Sequence, residues 1–145
     1  MLKQQFEDVL AEFGELVKQP LELDDDGIVT FTVDNEVIIN LQYLEESDFI
    51  IAFAPVGAFG GMDAPDAGKK AMELLRMNEI GGLSVGFTLA IDEDADLVLA
   101  MERHHALSMA HVDSLAAWMD ALVRMIKAVR NRFAELFPID DEGRE

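Results

Sequence analysis

Between Leu83 and Ile91 every second residue is apolar: Leu83, Val85, Phe87, Leu89 and Ile91. A period of two aligns side chains on one face of a β-strand, so this stretch predicts a strand buried on that face. Asp92-Glu93-Asp94-Ala95 interrupts the pattern with turn formers, and Leu97, Leu99 and Met101 resume it. The economical reading is an antiparallel hairpin. Its other face is small or polar, with Ser84, Gly86, Thr88 and Ala90. Such a face suits close approach by a helix or by a second copy of the chain.

The rest of the chain supplies a sheet around this hairpin. Leu2, Phe6, Val9, Phe13 and Leu16 step by four, three, four and three, with Leu10 and Val17 beside them. That stripe predicts a helix over about residues 2–18, ended by Gln19-Pro20. Asp24-Asp25-Asp26-Gly27 reads as a turn. Three strands follow: residues 28–33, a tight Asp34-Asn35 turn, then a strand with Val37, Ile39, Leu41 and Tyr43 on one side and Asn40 and Gln42 on the other. Residues 49–56 are almost wholly apolar, which predicts a strand covered on both faces.

Gly57 to Gly61 reads as a loop rather than a phosphate cradle, because the lysine and the following Ser/Thr of a nucleotide-binding loop are missing. Asp63 is the expected N-cap of a helix reaching about Met77, with Pro65 in its first turn and Ala71, Leu74 and Leu75 on its buried side. Asn78 and Gly81-Gly82 form its exit. After the hairpin, residues 104–110 read as a connector. Leu115, Met119, Leu122, Ile126, Val129, Phe133 and Leu136 then repeat the four-three spacing, a helix over about 112–137 stopped by Pro138. The fold class is α+β: an antiparallel five-stranded sheet with helices packed on it, in the order α-β-β-β-α-β-β-α. One domain is expected over residues 1–138, followed by an acidic tail at 139–145.

Charge and composition narrow the function. With 29 acidic and 11 basic residues the net charge is −18, which repels phosphate backbones and argues against nucleic-acid binding. The chain has no cysteine, so disulfides and thiolate metal sites are excluded. The start lacks the continuous apolar run of a signal peptide, and the most apolar tract, residues 49–61, is too short to span a bilayer and carries Pro55, Gly57 and Gly60. A soluble protein of the cytoplasm, without membrane insertion, is expected.

Little in the sequence looks catalytic. His104, His105 and His111 are the only histidines, and the adjacent pair points apart if it ends a strand. Glu102 or Asp113 would be needed to complete a metal set, against the simpler reading of a solvated connector. Acid pairs such as Asp92/Asp94 lie in turns, and no serine sits in a nucleophile elbow. No motif requires a cofactor, and an enzyme is not expected. What remains is surface binding. Eight methionines and an apolar first strand, with Val29, Phe31 and Val33 on one face and Ile28 on the other, offer more apolar surface than a small open sheet easily hides.

The pattern Leu74-Leu75, Asn78, a glycine-containing gap, Gly86-Phe87-Thr88-Leu89, Asp92 and Leu97-Val98-Leu99, with Leu115, Trp118 and Leu122 in the final helix, resembles the class I chaperones of bacterial type III secretion, the family of the Tir chaperone. The likeness covers about residues 2–137 and departs at His104-His105, where the family more often has an apolar residue and proline. The resemblance implies a non-enzymatic homodimer that binds the N-terminal region of a secreted effector in extended form and delivers it to the secretion apparatus. It implies an effector-binding groove at Phe6, Leu10, Phe13, Val29, Phe31, Val33, Val37 and Ile39. It implies a dimer interface at Met72, Leu75, Leu83, Val85, Phe87 and Leu89. A cytosolic adaptor or regulatory domain of the same fold, unrelated to secretion, stays open at this point.

Overall fold

In a computed structural model, which describes residues 2–138, the chain forms α1 (Leu2–Val17), β1 (Ile28–Val33), β2 (Val37–Leu44), β3 (Phe49–Ala58), α2 (Ala67–Met77), β4 (Thr88–Asp92), β5 (Leu97–His105) and α3 (Val112–Leu136). The tail expected at 139–145 lies outside the described residues. The strands form one sheet in the order β1-β2-β3-β5-β4. Every neighbouring pair is antiparallel.

One face of the sheet carries the core. Val29 and Phe31 of β1, Val37, Ile39, Leu41 and Tyr43 of β2, Ile50, Ala52, Ala54 and Val56 of β3, Val98 and Ala100 of β5 and Leu89 of β4 are all buried there. Helix α1 covers it with Phe6, Val9, Leu10 and Phe13, and α3 with Leu115, Trp118, Met119, Leu122, Ile126 and Val129. The Trp118 indole donates to Glu102 Oε1 at 2.7 Å and ties α3 to β5. Asp34 and Asn35 both take positive φ, 55° and 57°, as their residue types allow, and Glu36 completes the turn before Val37 pairs with Val33.

Besides Leu75, expected on the buried side of α2 but exposed, and Leu99 and Met101, expected to share the hairpin's buried face but turned outward, the structure departs from the sequence reading in five places. The strand expected from Leu83 begins only at Thr88. Residues 82–87 are a chain of turns, in which Gly82 donates to Glu79 O at 2.7 Å, Ser84 to Met77 O at 3.0 Å, Val85 to Gly82 O at 3.1 Å and Phe87 to Ser84 O at 2.9 Å. A Cβ on Gly82 would lie 2.5 Å from Met77 O, so glycine is what lets this turn close onto the end of α2. Second, α2 begins at Ala67 with Asp66 at its N-cap, not Asp63. Third, β5 runs on to His105, because residues 103–105 pair with Phe49 to Ile51, and a short 3-10 turn (Ala106–Met109) replaces the expected connector. Fourth, β3 continues to Ala58 through a bulge between Pro55 and Gly57, a place where a proline interrupts the ladder at little cost. Last, β3 is covered on one face only: Phe49, Ile51, Phe53 and Pro55 are half-buried while their inward neighbours are fully buried.

Candidate functional site

Three surfaces have to be distinguished: the layer between α1 and the sheet, the ridge around α2, and the sheet face and edges that no helix covers. The eight residues nominated for a groove lie in the first. Phe6, Leu10 and Phe13 descend from α1 onto Val29, Phe31, Val37 and Ile39, all buried, with Val33 half-buried at the end of β1. The Phe13 and Phe31 rings meet edge to face at 5.6 Å, and Phe6 stacks with Tyr43 at 6.2 Å. These side chains are brought together, but as a filled layer that fastens α1 to the sheet.

The six residues nominated for pairing divide. Phe87 and Leu89 point into the core, whereas Met72, Leu75, Leu83 and Val85 are exposed, the last two because their stretch is turn rather than strand. They form an apolar ridge on α2 and the turns after it. Ile80, which the sequence reading did not single out, stands fully exposed within the same ridge. An isolated apolar side chain at the surface is ordinary; here five fall within residues 72–85.

The third surface carried the weakest sequence signal. Ile38 of β2, Ile51, Phe53 and Pro55 of β3, Leu99 and Met101 of β5 and Ala90 of β4 all point away from α1 and α3, and none of them is buried. Register places Phe53 opposite Met101, Pro55 opposite Leu99 and Leu99 opposite Ala90, so the patch is contiguous across three strands. Its edges are both closed by side-chain amides. Asn78, at the end of α2, bonds both main-chain groups of Leu89 in β4, and Gln19, after α1, does the same to Thr32 in β1.

Polar contacts hold these surfaces in place. Lys127 of α3 reaches Asp34 at 3.0 Å and Glu36 at 3.4 Å, which raises the lysine pKa and pins α3 to the β1–β2 turn. Arg130 donates to the carbonyls of Val56 and Glu36. The Tyr43 hydroxyl donates to Asp48; burial first, and then this bond and the carboxylate's charge, push its pKa up to about 12. The histidines sit apart in role. His104 meets the Trp118 ring edge-on at 4.8 Å on the inner face, His105 faces Phe49 and accepts from the Leu107 N–H, and His111 precedes α3. Among the described residues no group of three or more His, Cys, Asp or Glu is placed to hold a metal ion, and no helix is long and apolar enough to cross a membrane. A further cavity of about 540 Å³ opens between α3 and the loop after β3, lined by Phe59, Val98, Val129, Phe133 and Phe137 with Lys70 and Arg130; none of the nominated residues lines it.

One sheet covered by helices on one face and bare on the other, with an apolar ridge beside it, is the build of a protein-binding module. Solved structures share this architecture. The HopA1–SchA chaperone–effector complex aligns with a TM-score of 0.70 at 21% identity, over 89% of this chain and 95% of that one. The ExsC–ExsE complex aligns with a TM-score of 0.70 at 18% identity, over 89% and 93%. The Yersinia pestis type III secretion chaperone SycH, solved with a stable fragment of YscM2, aligns with a TM-score of 0.61 at 23% identity, over 86% and 97%. The sequence matches none of the curated proteins. The Tir chaperone protein (CesT) family matches residues 8–130, and the chain belongs to that family, the type III secretion chaperones that its sequence pattern resembles. The family is one of chaperones rather than enzymes.

Proposed function

We propose that the protein works in the cytoplasm as a homodimer that holds the N-terminal region of a secreted effector in extended form and delivers it to the type III secretion apparatus. The observation that carries this reading is the bare sheet face. The chain has an apolar strand, β3, whose outer side chains Ile51, Phe53 and Pro55 have no covering layer, so the missing layer comes from a partner. Family membership over residues 8–130 supports the same conclusion, and so do neighbours in the fold that were solved with partners bound.

In this reading the nominated residues take distinct roles. Phe6, Leu10, Phe13, Val29, Phe31, Val37 and Ile39 form the floor that keeps α1 and β1–β2 rigid, with Val33 at its margin. Met72, Leu75, Leu83 and Val85 supply the two-fold contact, seated on Phe87 and Leu89 beneath. A dimer made this way uses the same ridge on both copies.

The test is a pull-down of the tagged protein from its native cells, with identification of the eluate by mass spectrometry and the mass of any complex. One larger protein per dimer, lost when its N-terminal segment is deleted, is the expected result. Recovery of a folded protein held through another region would overturn the reading in favour of an adaptor.

A further inference from the structure

We infer that the cavity between α3 and the loop after β3 is a binding site for a small amphipathic carboxylate, a molecule with an apolar body and one anionic end. None of the residues that line it belongs to the bare sheet face or to the α2 ridge, and the inference does not depend on the chaperone reading.

The apolar part of the site comes first. Val56 of β3, Val98 of β5, Val129 of α3 and Phe59 are buried at its floor, and Phe133 and Phe137 stand half-buried around its mouth. A volume of about 540 Å³ is that of a small-molecule site. The walls are braced against collapse. Asp96, in the turn between β4 and β5, accepts from the Gly60 N–H at 3.2 Å and the Gly61 N–H at 2.8 Å, and its carbonyl accepts from the Phe59 N–H at 2.9 Å. On the other side the Arg130 guanidinium donates to the carbonyls of Val56 and Glu36, which holds α3 to the sheet. Protein interiors are close-packed, so a braced apolar hole of this size is room for an apolar body.

Two cations give the site its sign. Lys70 enters from α2 with its side chain only 12% exposed, its ammonium 5.9 Å from the centres of both the Phe59 and the Phe137 rings. Gly60 makes room for it: this residue takes φ +100°, and a Cβ there would lie 2.5 Å from Lys70 Nζ. The ammonium donates to the Phe59 carbonyl at 3.0 Å, and its ion pair with Asp66 is long at 3.4 Å, to a carboxylate that is 44% exposed. An ammonium has three protons to donate, so one is left for a ligand. Arg130, the second cation, spends its bonds on neutral carbonyls. In a chain of net charge −18, no Asp or Glu among the described residues lines this cavity. A nearly buried, weakly neutralised cation beside apolar walls selects an anion with an apolar body.

The ligand therefore lays its apolar length on Phe59, Val129 and Phe133 and sets its carboxylate beside Lys70, with Arg130 adding to the positive field. Held there it touches both α2 and α3 and adds a tie between the two helices.

The experiment is a titration of the full chain with sodium decanoate, read by calorimetry and by the melting temperature. One decanoate per chain and a raised melting temperature are expected. Decanol and decyltrimethylammonium, which share the chain but lack the negative charge, should bind at least about tenfold more weakly, the worth of one hydrogen bond to a charged group. Lys70→Gln keeps a donor for the Phe59 carbonyl and loses the charge. It should weaken decanoate by about tenfold and leave decanol unchanged, a split that a merely structural lysine would not give. Ala134→Trp, at an exposed α3 position on the mouth, should block both ligands with the circular dichroism spectrum unchanged. No heat and no melting shift below micelle formation overturns the inference, as does equal affinity for decanoate and decanol. Binding that survives both substitutions overturns it too, by placing the ligand elsewhere. Decanoate bound by Ile139→Asp but not by the wild type would overturn it in favour of the chain's own next residue. Displacement of decanoate by the N-terminal fragment of the client recovered in the pull-down would overturn it in favour of that client.

Discussion

Asn78 holds Leu89 by both of its main-chain groups: Asn78 Nδ2 donates to the Leu89 carbonyl at 3.0 Å, and Asn78 Oδ1 accepts from the Leu89 N–H at 2.9 Å. Leu89 belongs to β4, the strand at one margin of the sheet, and Gln19 makes the same pair of bonds to Thr32 at the other. Each amide follows a helix, so the sheet's two margins are tied to the ends of α1 and α2. Both bonds of Asn78 are short, whereas one of Gln19's is long at 3.4 Å.

Asn78→Ala should therefore act on stability. Losing two hydrogen bonds at a half-buried site costs about 2 kcal/mol, or a melting temperature lower by about 4–8 °C in a domain of this size. Thermal denaturation by circular dichroism checks this. A variant that melts with the wild type would mean that water replaces Asn78 without loss.

Core and surface should separate cleanly among the apolar residues. Phe31 is 3% exposed against the Phe13 ring, so Phe31→Asp buries a charge and should prevent folding rather than merely weaken client binding. Phe87→Asp should do the same, since Phe87 is 5% exposed. Leu75 is 64% exposed and Val85 65%, and Leu75→Asp or Val85→Asp should leave the circular dichroism spectrum intact while halving the mass measured by light scattering. A Leu75→Asp protein that stays dimeric would remove the α2 ridge from the interface.

An element is legible in a sequence of this kind where its apolar period is sustained. Val37, Ile39, Leu41 and Tyr43 alternate and are all buried, and the α3 stripe from Leu115 to Val129 buries as its spacing requires. In both elements the period is sustained and no glycine intrudes. From Leu83 to Phe87 the same alternation is accidental, because Gly81, Gly82 and Gly86 with Val85 at positive φ let the chain turn instead. Leu16 belongs to the α1 stripe by spacing yet is 62% exposed, in the last turn of the helix. Groove and core could not be separated from sequence, because both demand the same apolar residues. The second cover expected for β3 is absent because no helix of the described residues lies on that side: its apolar residues at 51, 53 and 55 look from sequence like core, and a run apolar on both sides does not say where a cover would come from. The amide ties of Gln19 and Asn78 left no periodic signal, each being a single residue just past a helix.

Tyr43 predicts an alkaline limit. It is the only tyrosine in the chain, so its phenolate absorbance can be followed without interference. Its pKa is pushed up to about 12 in the fold, against about 10 for a free phenol. A raised pKa means that the folded state favours the neutral hydroxyl. The resulting stability is fully present below about pH 10 and is lost as the pH climbs from there through about 12. Tyr43→Phe should lose about 1–2 kcal/mol at neutral pH with the bond to Asp48, and its stability should fall less steeply over that alkaline range. A phenolate that titrates near 10 in the folded protein would contradict the burial argument.

The bare face itself is tested where it is most apolar, at Phe53 opposite Met101. Both side chains are half-buried and neither reaches α1 or α3, so Phe53→Asp and Met101→Asp place a carboxylate where water can still solvate it. The fold should survive, with a melting temperature within a few degrees of the wild type. Bound client would have to desolvate that carboxylate, and affinity for the client fragment should drop by at least about tenfold, since an unpaired charge in an interface costs more than about 1.4 kcal/mol. Isothermal titration with the fragment measures the loss, and light scattering on the same samples reports the dimer. Lost affinity with the dimer intact assigns the face to the client. Lost dimer would assign it to the second copy and make the α2 ridge the place to look for the client instead.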